Sequence, residues 1–253
     1  SDPERLKAMA AEFVALKVDA IITHGFLGTR TAAQATKTIP VVMADGPDPV
    51  AMGLVASLAR PGGNVTGSTA FQTELVRKRF ELLKEAAPRI KRAALLLNPQ
   101  NPFNAVVVRE MQSVAKGMKV ELHEYEVKSP DELTGTFAAM SKARIEAAVI
   151  SEDPLFNSNP AVIGALAATH RIAASGLTIL AEAGGLLGYG VNRAQHYARA
   201  AIFVDKILKG AKPGDLPVER ATKFDFIVNL KTAKALGLKI PNSILVQATK
   251  VIE

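Results

Sequence analysis

Polar residues that directly follow short apolar runs are the best candidates for chemistry in this chain. Asp45, Asn98 and Asp153 each come at or just past the end of a run typical of a buried strand. Open α/β sheets bind ligands outside the carboxyl ends of their strands, so these loop tips are expected to line a cleft. A carboxylate there can pair with a ligand ammonium group, whereas amides, hydroxyls and backbone N–H groups hold anions. The full set of predicted ligand-binding residues is Gly25, Phe26, Thr29, Asp45, Ser68, Asn98, Asp153 and Glu182.

The same polar residues also suit local structural roles, and the sequence leaves both interpretations open. Asp45 could cap a helix predicted to begin near Val50, although Asp48 is better placed for that cap. Asn98 and Asp153 each precede a proline, which is typical of turns. Each side chain is therefore predicted to bind ligand with a turn or cap as its alternative.

Small and aromatic residues complete the predicted site. Gly25 lets the backbone approach a ligand and Thr29 offers a hydroxyl near a helix start, unless this segment is a simple turn between a strand and a helix. Ser68 lies where the chain is expected to cross between lobes, and it could donate to a ligand or belong to a hinge turn. Glu182 opens a predicted glycine-rich loop. Three phenylalanines that follow different strands could wall an aromatic or aliphatic ligand, or be core: Phe26, Phe103 and Phe156.

Catalytic and metal-binding patterns are weak. The four histidines have no H-x-x-x-H spacing and the chain has no cysteine, so a transition-metal site has little support. The sequence has no G-x-S-x-G elbow or P-loop, and its late G-x-x-G-x-G at Gly185–Gly190 lacks the strand and helix of a dinucleotide site. Glu152 and Asp153 could be an acid pair, but adjacent side chains at a strand end point apart. We therefore predict no catalytic residue, no metal and no cofactor.

Composition indicates a globular protein without a nucleic-acid partner. The 253 residues are 48% hydrophobic and carry a net charge of +7, but the basic residues are scattered along predicted helices. The cluster Arg77–Arg79, for example, interrupts an amphipathic stripe and is predicted to face solvent. Only 5% of residues are aromatic, which leaves few stacking platforms for bases. No apolar run approaches the ~20 residues that span a bilayer.

Strands and helices alternate along the chain, which predicts an α/β fold with parallel sheets. The predicted strands are Ala20–Thr23, Pro40–Ala44, Val65–Ser68, Ala93–Leu97, Val120–Tyr125, Ala147–Ser151, Leu177–Leu180 and Phe224–Val228. The predicted helices are Pro3–Lys17 with Asp2 as N-cap, Gly28–Thr36, Val50–Ala59, Glu74–Ala87, Asn104–Gly117, Pro130–Lys142, Pro160–Arg171, Ala194–Leu208, Asn229–Leu236 and Asn242–Ile252. The segment Ala181–Asn192 is predicted to be a loop.

Several phrases of the sequence resemble the ABC transporter substrate-binding proteins related to bacterial tryptophan- and tyrosine-binding lipoproteins. They are Asp48–Val50, Gly53–Gly67, Arg79–Pro88, Asn98–Pro102, Val204–Gly210 and Asn229–Leu238. The resemblance implies a periplasmic-binding-protein type I fold, in which two Rossmann-like lobes close on a ligand about a hinge. It also implies a monomer that is periplasmic or lipid-anchored and that delivers its ligand to a membrane permease.

On this basis we expect one lobe from residues 1–67 and 188–216 and the other from 68–187 and 217–253. Compared with the family, the chain is expected to lack a signal peptide and a first strand–helix unit, which would leave the first lobe short of that unit. The predicted function is capture of a small amino acid-like or aromatic carboxylate for an ABC importer. A ligand-sensing module of a receptor or regulator with the same fold is the alternative, and an enzyme ranks third.

Overall fold

The computed structural model describes residues 3–101 and 104–253, so the predicted cap at Asp2 and the predicted wall at Phe103 lie outside the described residues. The strands are β1 (Ile21–His24), β2 (Val41–Asp45), β3 (Val65–Thr69), β4 (Arg92–Leu97), β5 (Glu121–Glu126), β6 (Ala147–Ile150), β7 (Ala173–Gly176), β8 (Leu187–Val191), β9 (Glu219–Arg220), β10 (Phe224–Asn229) and β11 (Lys250–Ile252). The helices are α1 (Pro3–Ala15), α2 (Gly25–Ala35), α3 (Gln72–Ala86), α4 (Asn104–Gly117), α5 (Glu132–Lys142), α6 (Pro154–Asn157), α7 (Pro160–Thr169), α8 (Thr178–Glu182), α9 (Arg193–Leu208), α10 (Leu230–Leu236) and α11 (Asn242–Leu245). A 3-10 turn spans Pro213–Asp215.

The chain divides into two compact units, each with its own sheet. Unit 1 contains the described residues up to Gln72 together with Val191–Lys223, and unit 2 contains Thr73–Gly190 and Phe224–Glu253. The division falls a few residues later than the boundaries expected from the sequence. The physical reason is pairing: β3 continues to Thr69 and binds β9, which keeps both strands in unit 1.

Unit 1 is built on a parallel four-stranded sheet in the order β1-β2-β3-β9. All five residues of β2 are buried because helices cover it from both faces, as its continuous apolar run predicts. On one face, Ala200 and Phe203 of α9 pack against Val42 and Ala44. The backbones of β2 and β3 also pack closely. Gly67 of β3, which has φ 124°, pairs there with Met43 of β2.

Unit 2 is built on a seven-stranded sheet in the order β11-β10-β8-β7-β6-β4-β5. The pairs β4–β5, β4–β6, β6–β7, β7–β8 and β10–β11 are parallel. Side chains of β4 alternate between two apolar clusters, so that Leu95 packs with Phe80 and Met111 while Leu96 packs with Phe137 and Ile163. Helices therefore cover both faces, and the predicted α/β fold with parallel sheets is confirmed.

The predicted helix at Val50–Ala59 is wrong, because this segment forms turns. The N–H groups of Val50 and Ala51 donate to the Asp48 carboxylate at 2.9 and 3.2 Å. Asp48 therefore caps this turn, the role for which the sequence favoured it over Asp45. The segment does not continue as an α-helix, because the Ala56 N–H donates forward to the Pro61 carbonyl, 3.0 Å away, and not to a carbonyl four residues earlier.

The predicted strand at Leu177–Leu180 and loop at Ala181–Asn192 are also wrong. The strand in this region is β7, which consists of four small residues just before the predicted strand. Helix α8 covers the predicted strand, and β8 lies within the predicted loop. Small residues are poor strand formers by propensity, but here they admit close packing. A Cβ on Gly176 would lie 2.8 Å from Leu180 Cδ2. Near the end, the predicted helix Asn242–Ile252 is reduced to α11, because Lys250–Ile252 instead pair with β10.

Candidate functional site

The first predicted loop of unit 1 is the start of a helix. Gly25, with φ 70°, begins α2, and Phe26 lies in its first turn with the Arg30 guanidinium 5.6 Å from the centre of its ring. Thr29 is fully buried; its hydroxyl donates to the Gly25 carbonyl at 2.8 Å and lies 2.9 Å from the Thr23 hydroxyl. These bonds stabilise the strand-to-helix turn, so the geometry favours the structural interpretation of Thr29.

Asp45 is the last residue of β2 and is only 4% exposed. The loop behind it is held by the end of β3: the Thr69 hydroxyl lies 2.9 Å from the carbonyls of both Gly46 and Pro47, and the Ala70 N–H donates to Gly46. Asp45 thus sits on a rigid strand end at the carboxyl edge of the sheet, which is where its predicted role requires it to be.

A cavity of about 280 Å³ opens within unit 1 beside the ends of β3 and β9. Its lining comprises Ser68, Gln195, His196, Arg199, Glu219, Arg220, Ala221, Thr222 and Lys223. Ser68 is 3% exposed, and its Oγ has no hydrogen-bond partner among the described residues. A buried hydroxyl left in this state is costly, which marks it as a group that a ligand can satisfy.

The first turn of α9 contributes Gln195 and His196 to this cavity. The Asn192 side chain caps the helix by accepting from the Gln195 N–H at 3.0 Å. His196 is 7% exposed, and its Nδ1 donates to the Ala44 carbonyl 2.9 Å away, which ties α9 to the end of β2. The positive end of a sixteen-residue helix therefore lies beside the Ser68 hydroxyl, an arrangement that suits an anionic group.

The charges that line the cavity are mainly positive. Arg199 binds Glu219 with two nitrogens, and this pairing lowers the pKa of the Glu219 carboxyl and raises the pKa of Arg199. The Arg220 guanidinium stacks on the Phe71 ring at 4.1 Å. With Lys223, the lining holds three cations and one carboxylate.

His196 and Arg199 were missed by sequence reasoning, although their spacing of three on a helix that starts after an Asn cap was a usable signal.

In unit 2 the structure brings Asn98 and Asp153 together and turns them toward each other. One Asp153 carboxylate oxygen accepts from the Asn98 amide at 3.0 Å and from the Leu155 N–H at 2.9 Å, and the other accepts from the Asn101 amide at 3.1 Å. Asp153 is the N-cap of α6 and is 4% exposed. The geometry favours the turn and cap interpretation of both residues.

We expect Asp153→Ala to lower the free energy of unfolding by about 2 kcal/mol, because it removes a helix cap and leaves two amides without their acceptor. Denaturant unfolding measures this loss. Asp131→Ala is the matched control, since Asp131 is exposed at the start of α5 and its side chain makes no cap bond. Equal stability of the two variants would contradict the scaffold role of Asp153.

Arg79 and Glu152 form a buried ion pair that sequence reasoning missed. Arg79 was predicted to face solvent, but its side chain is 0% exposed and that of Glu152 is 6% exposed. Its Nη2 donates to Glu152 at 3.0 Å and its Nε to the Tyr189 carbonyl at 2.7 Å. Glu152 is thus engaged by Arg79 rather than by Asp153. The burial of Arg79 could have been read from its spacing, because Arg79 lies three residues after Val76 and borders the apolar stripe of α3.

Glu182 lies away from Asn98 and Asp153. It is the last residue of α8, and its carboxylate binds Lys250 at 2.7 Å with 47% of its side chain exposed. The segment after Glu182 leads into β8, which runs parallel to β7, so this pair lies toward the edge at which β8 begins, opposite the loops that follow β4 and β6. Glu182 was predicted to follow a strand, but that segment is α8. This error explains why Glu182 does not lie with Asn98 and Asp153.

Among the described residues, no cluster of three or more histidine, cysteine, aspartate or glutamate side chains could hold a metal ion. Searching the same residues for membrane spans gives no helix with the length and apolar character to cross a bilayer. At the carboxyl edges of the sheets, the candidate features are a polar, positively lined cavity in unit 1 and the hydrogen-bonded cluster of Asn98, Asn101 and Asp153 in unit 2.

A family model described as ABC transporter substrate binding protein matches residues 1–252. The chain belongs to this family, as the resemblance in its sequence predicted. This substrate-binding protein is 26% identical, over 245 residues, to a protein of Clostridioides difficile named tyrosine-binding protein, covering 94% of this chain and 69% of that one.

Two solved structures place the fold. An ABC domain from Streptococcus pneumonia in complex with L-Trp is 27% identical with a TM-score of 0.90, covering 99% of this chain and 84% of that one. A periplasmic solute-binding protein of Actinobacillus succinogenes with bound D-allose, 16% identical, has a TM-score of 0.62 over 92% of this chain and 84% of its own, which shows the fold alone. The periplasmic-binding-protein type I fold is thereby confirmed.

Proposed function

We propose that this substrate-binding protein captures an aromatic amino acid, or a closely similar small carboxylate, and delivers it to the permease of an ABC importer outside the cytoplasm. Membership of the family supports the binding role. The ligand class is supported by two relatives at similar identity, one named for tyrosine and one solved with L-Trp. A ligand-sensing module, the alternative from the sequence, has no specific observation in its favour.

The observation that carries the proposal is the cavity of unit 1. It combines a buried Ser68 hydroxyl with no partner in the described chain, the amino end of α9 and a lining with three cations against one carboxylate. The amino end of α9 and the excess of cations favour an anionic group over a neutral or cationic one, and the Ser68 hydroxyl can donate to that group. We therefore infer that the cavity binds the carboxylate of the ligand, a group that every amino acid carries. The aromatic side chain of the ligand is then contacted by residues outside this cavity.

Thermal unfolding with a panel of amino acids, aromatic acids and small organic acids, each at about 1 mM, tests the proposed function. A ligand with micromolar affinity stabilises the folded state by roughly 4 kcal/mol at that concentration. At about 2–4 °C per kcal/mol for a chain of this size, the midpoint rises by around 10 °C. We expect tyrosine or tryptophan to give this shift. A cooperative transition that responds to sugars and to none of the carboxylates would contradict the proposal.

We expect Ser68→Ala to weaken binding of the carboxylate about tenfold, because a hydrogen bond to a charged group contributes about 1.5 kcal/mol. Folding should not suffer, since Ser68 Oγ has no partner to lose within the described residues. Calorimetric titration measures the affinity, with Ser141→Ala on the exposed face of α5 as the matched control. Unchanged affinity in Ser68→Ala would show that the Ser68 hydroxyl does not bind the ligand.

A further inference from the structure

Unit 2 contains a second groove, of about 590 Å³, at the amino-terminal edge of its sheet. It is formed by the segments that lead into β4, β6 and β7 and by the turn that follows α10. Asn98 and Asp153 lie at the opposite, carboxyl-terminal edge, so this groove is separate from the loops considered for the ligand of the proposed function. Its volume falls in the range of small-molecule sites, about 300–1,000 Å³.

The groove combines an apolar body with a cationic rim. Its apolar lining comprises Ala86, Ala87, Ile90, Ile145, Ala173, Leu236 and Leu238. Arg89, Arg144, Arg171 and Lys239 are exposed around it, and none of these four forms an ion pair within residues 3–101 and 104–253. Arg171 makes one long bond, 3.5 Å, to the Leu236 carbonyl. Four cations at one apolar groove repel one another, which an anion would relieve.

The lining of this groove holds one carboxylate, that of Glu146, against the four cations of the rim. The Glu146 carboxylate accepts the N–H groups of Lys91 and Arg92 at 2.6 and 2.9 Å. Beyond the end of α3, the Lys84 ammonium binds the carbonyls of Pro88 and Ile90 at 2.8 and 2.7 Å. These bonds leave the cations of the rim as the groups available to a ligand.

We propose that this groove binds an amphipathic organic anion, with the acidic group among Arg89, Arg144, Arg171 and Lys239 and the apolar body against the aliphatic lining. The size of the groove favours a small molecule over a peptide or a membrane surface. This inference is independent of the proposed function, because its residues lie at the other edge of the sheet.

The test is a fluorescence titration of the full chain with 1-anilinonaphthalene-8-sulfonate, an aromatic sulfonate, at pH 7. We expect saturable binding of one molecule per chain that decanoate displaces and decylamine does not. Equal displacement by decylamine would overturn the proposal, because the cations would then play no part. Binding of acidic peptides or anionic phosphatidylglycerol vesicles with no binding of decanoate would also overturn it, in favour of a macromolecular partner.

Paired variants assign the binding to this groove. Arg144→Asn together with Arg171→Asn should weaken sulfonate binding at least tenfold, and Asn tolerates the positive φ of both positions. Arg109→Gln with Lys128→Gln removes the same charge from exposed positions elsewhere in unit 2 and should change affinity less than twofold. If the first pair does not fold, the exposed Lys239→Gln should weaken binding about threefold. Equal loss in groove and control variants, or no loss in Lys239→Gln, would overturn the proposal.

Discussion

Replacement of Glu152 by alanine should lower the free energy of unfolding by about 3–5 kcal/mol, because it leaves the Arg79 guanidinium buried without its counter-charge. Arg79 has no exposed surface, and its Nη1 already lacks a partner among the described residues. The bond from Nε to the Tyr189 carbonyl would remain, but one carbonyl does not neutralise a full charge. Denaturant unfolding of the parent and the variant measures the loss.

Glu182→Ala is the matched control for Glu152→Ala. Both glutamates bind a cation in unit 2, but the pair of Glu182 with Lys250 is about half exposed, so its loss should cost less than about 1 kcal/mol. Arg79→Met combined with Glu152→Met should be more stable than Glu152→Ala, since no charge is then left in the interior. A loss in Glu152→Ala no larger than in Glu182→Ala would contradict the buried pair.

Gly67→Ala should be the most disruptive single change in unit 1, with a loss of about 3 kcal/mol or more. Gly67 has φ 124°, which residues with a side chain rarely adopt, and its Cβ would overlap the Met43 carbonyl oxygen. The atoms in contact belong to the backbone of β2, so no rotamer change can relieve the overlap. Thermal and denaturant unfolding both report this loss.

Gly28→Ala is the control for Gly67→Ala in the same unit. A Cβ on Gly28 meets nothing within 4 Å, and alanine is favoured over glycine inside a helix such as α2 by about 1 kcal/mol. We therefore expect Gly28→Ala to be as stable as the parent or more so. Similar behaviour of the two variants would mean that β2 and β3 are not packed as closely as described.

The alternation of apolar strands and amphipathic helices predicted the fold class, because buried parallel strands such as β2 and β4 have continuous apolar runs. It failed where packing overrides propensity. The small residues of β7 do not resemble a strand, and β11 forms only because β10 offers a free edge. The turn at Asp48 was read as a helix because the local pattern cannot show that Ala56 bonds to Pro61.

The positions of the candidate residues in the fold could be predicted in part. Strand ends indicated Asp45, Ser68, Asn98 and Asp153, and the structure places each at or near a carboxyl edge. Sequence order alone could not show that Asn98 and Asp153 bind each other, since 55 residues separate them. It also could not show that Arg79 is buried or that His196 reaches Ala44, 152 residues earlier, because both depend on tertiary contacts.

Fluorescence can test directly whether the cavity beside Ser68 binds the carboxylate of an aromatic amino acid. The chain has no tryptophan, so the fluorescence of added L-tryptophan reports binding directly. The most direct measurement is a titration of the protein with L-tryptophan and, separately, with tryptamine, which lacks the carboxylate. We expect saturable micromolar binding of L-tryptophan and at least hundredfold weaker binding of tryptamine, since a buried charge-assisted site left unfilled costs about 3 kcal/mol. Equal affinity for the two compounds would mean that the cavity does not bind the carboxylate.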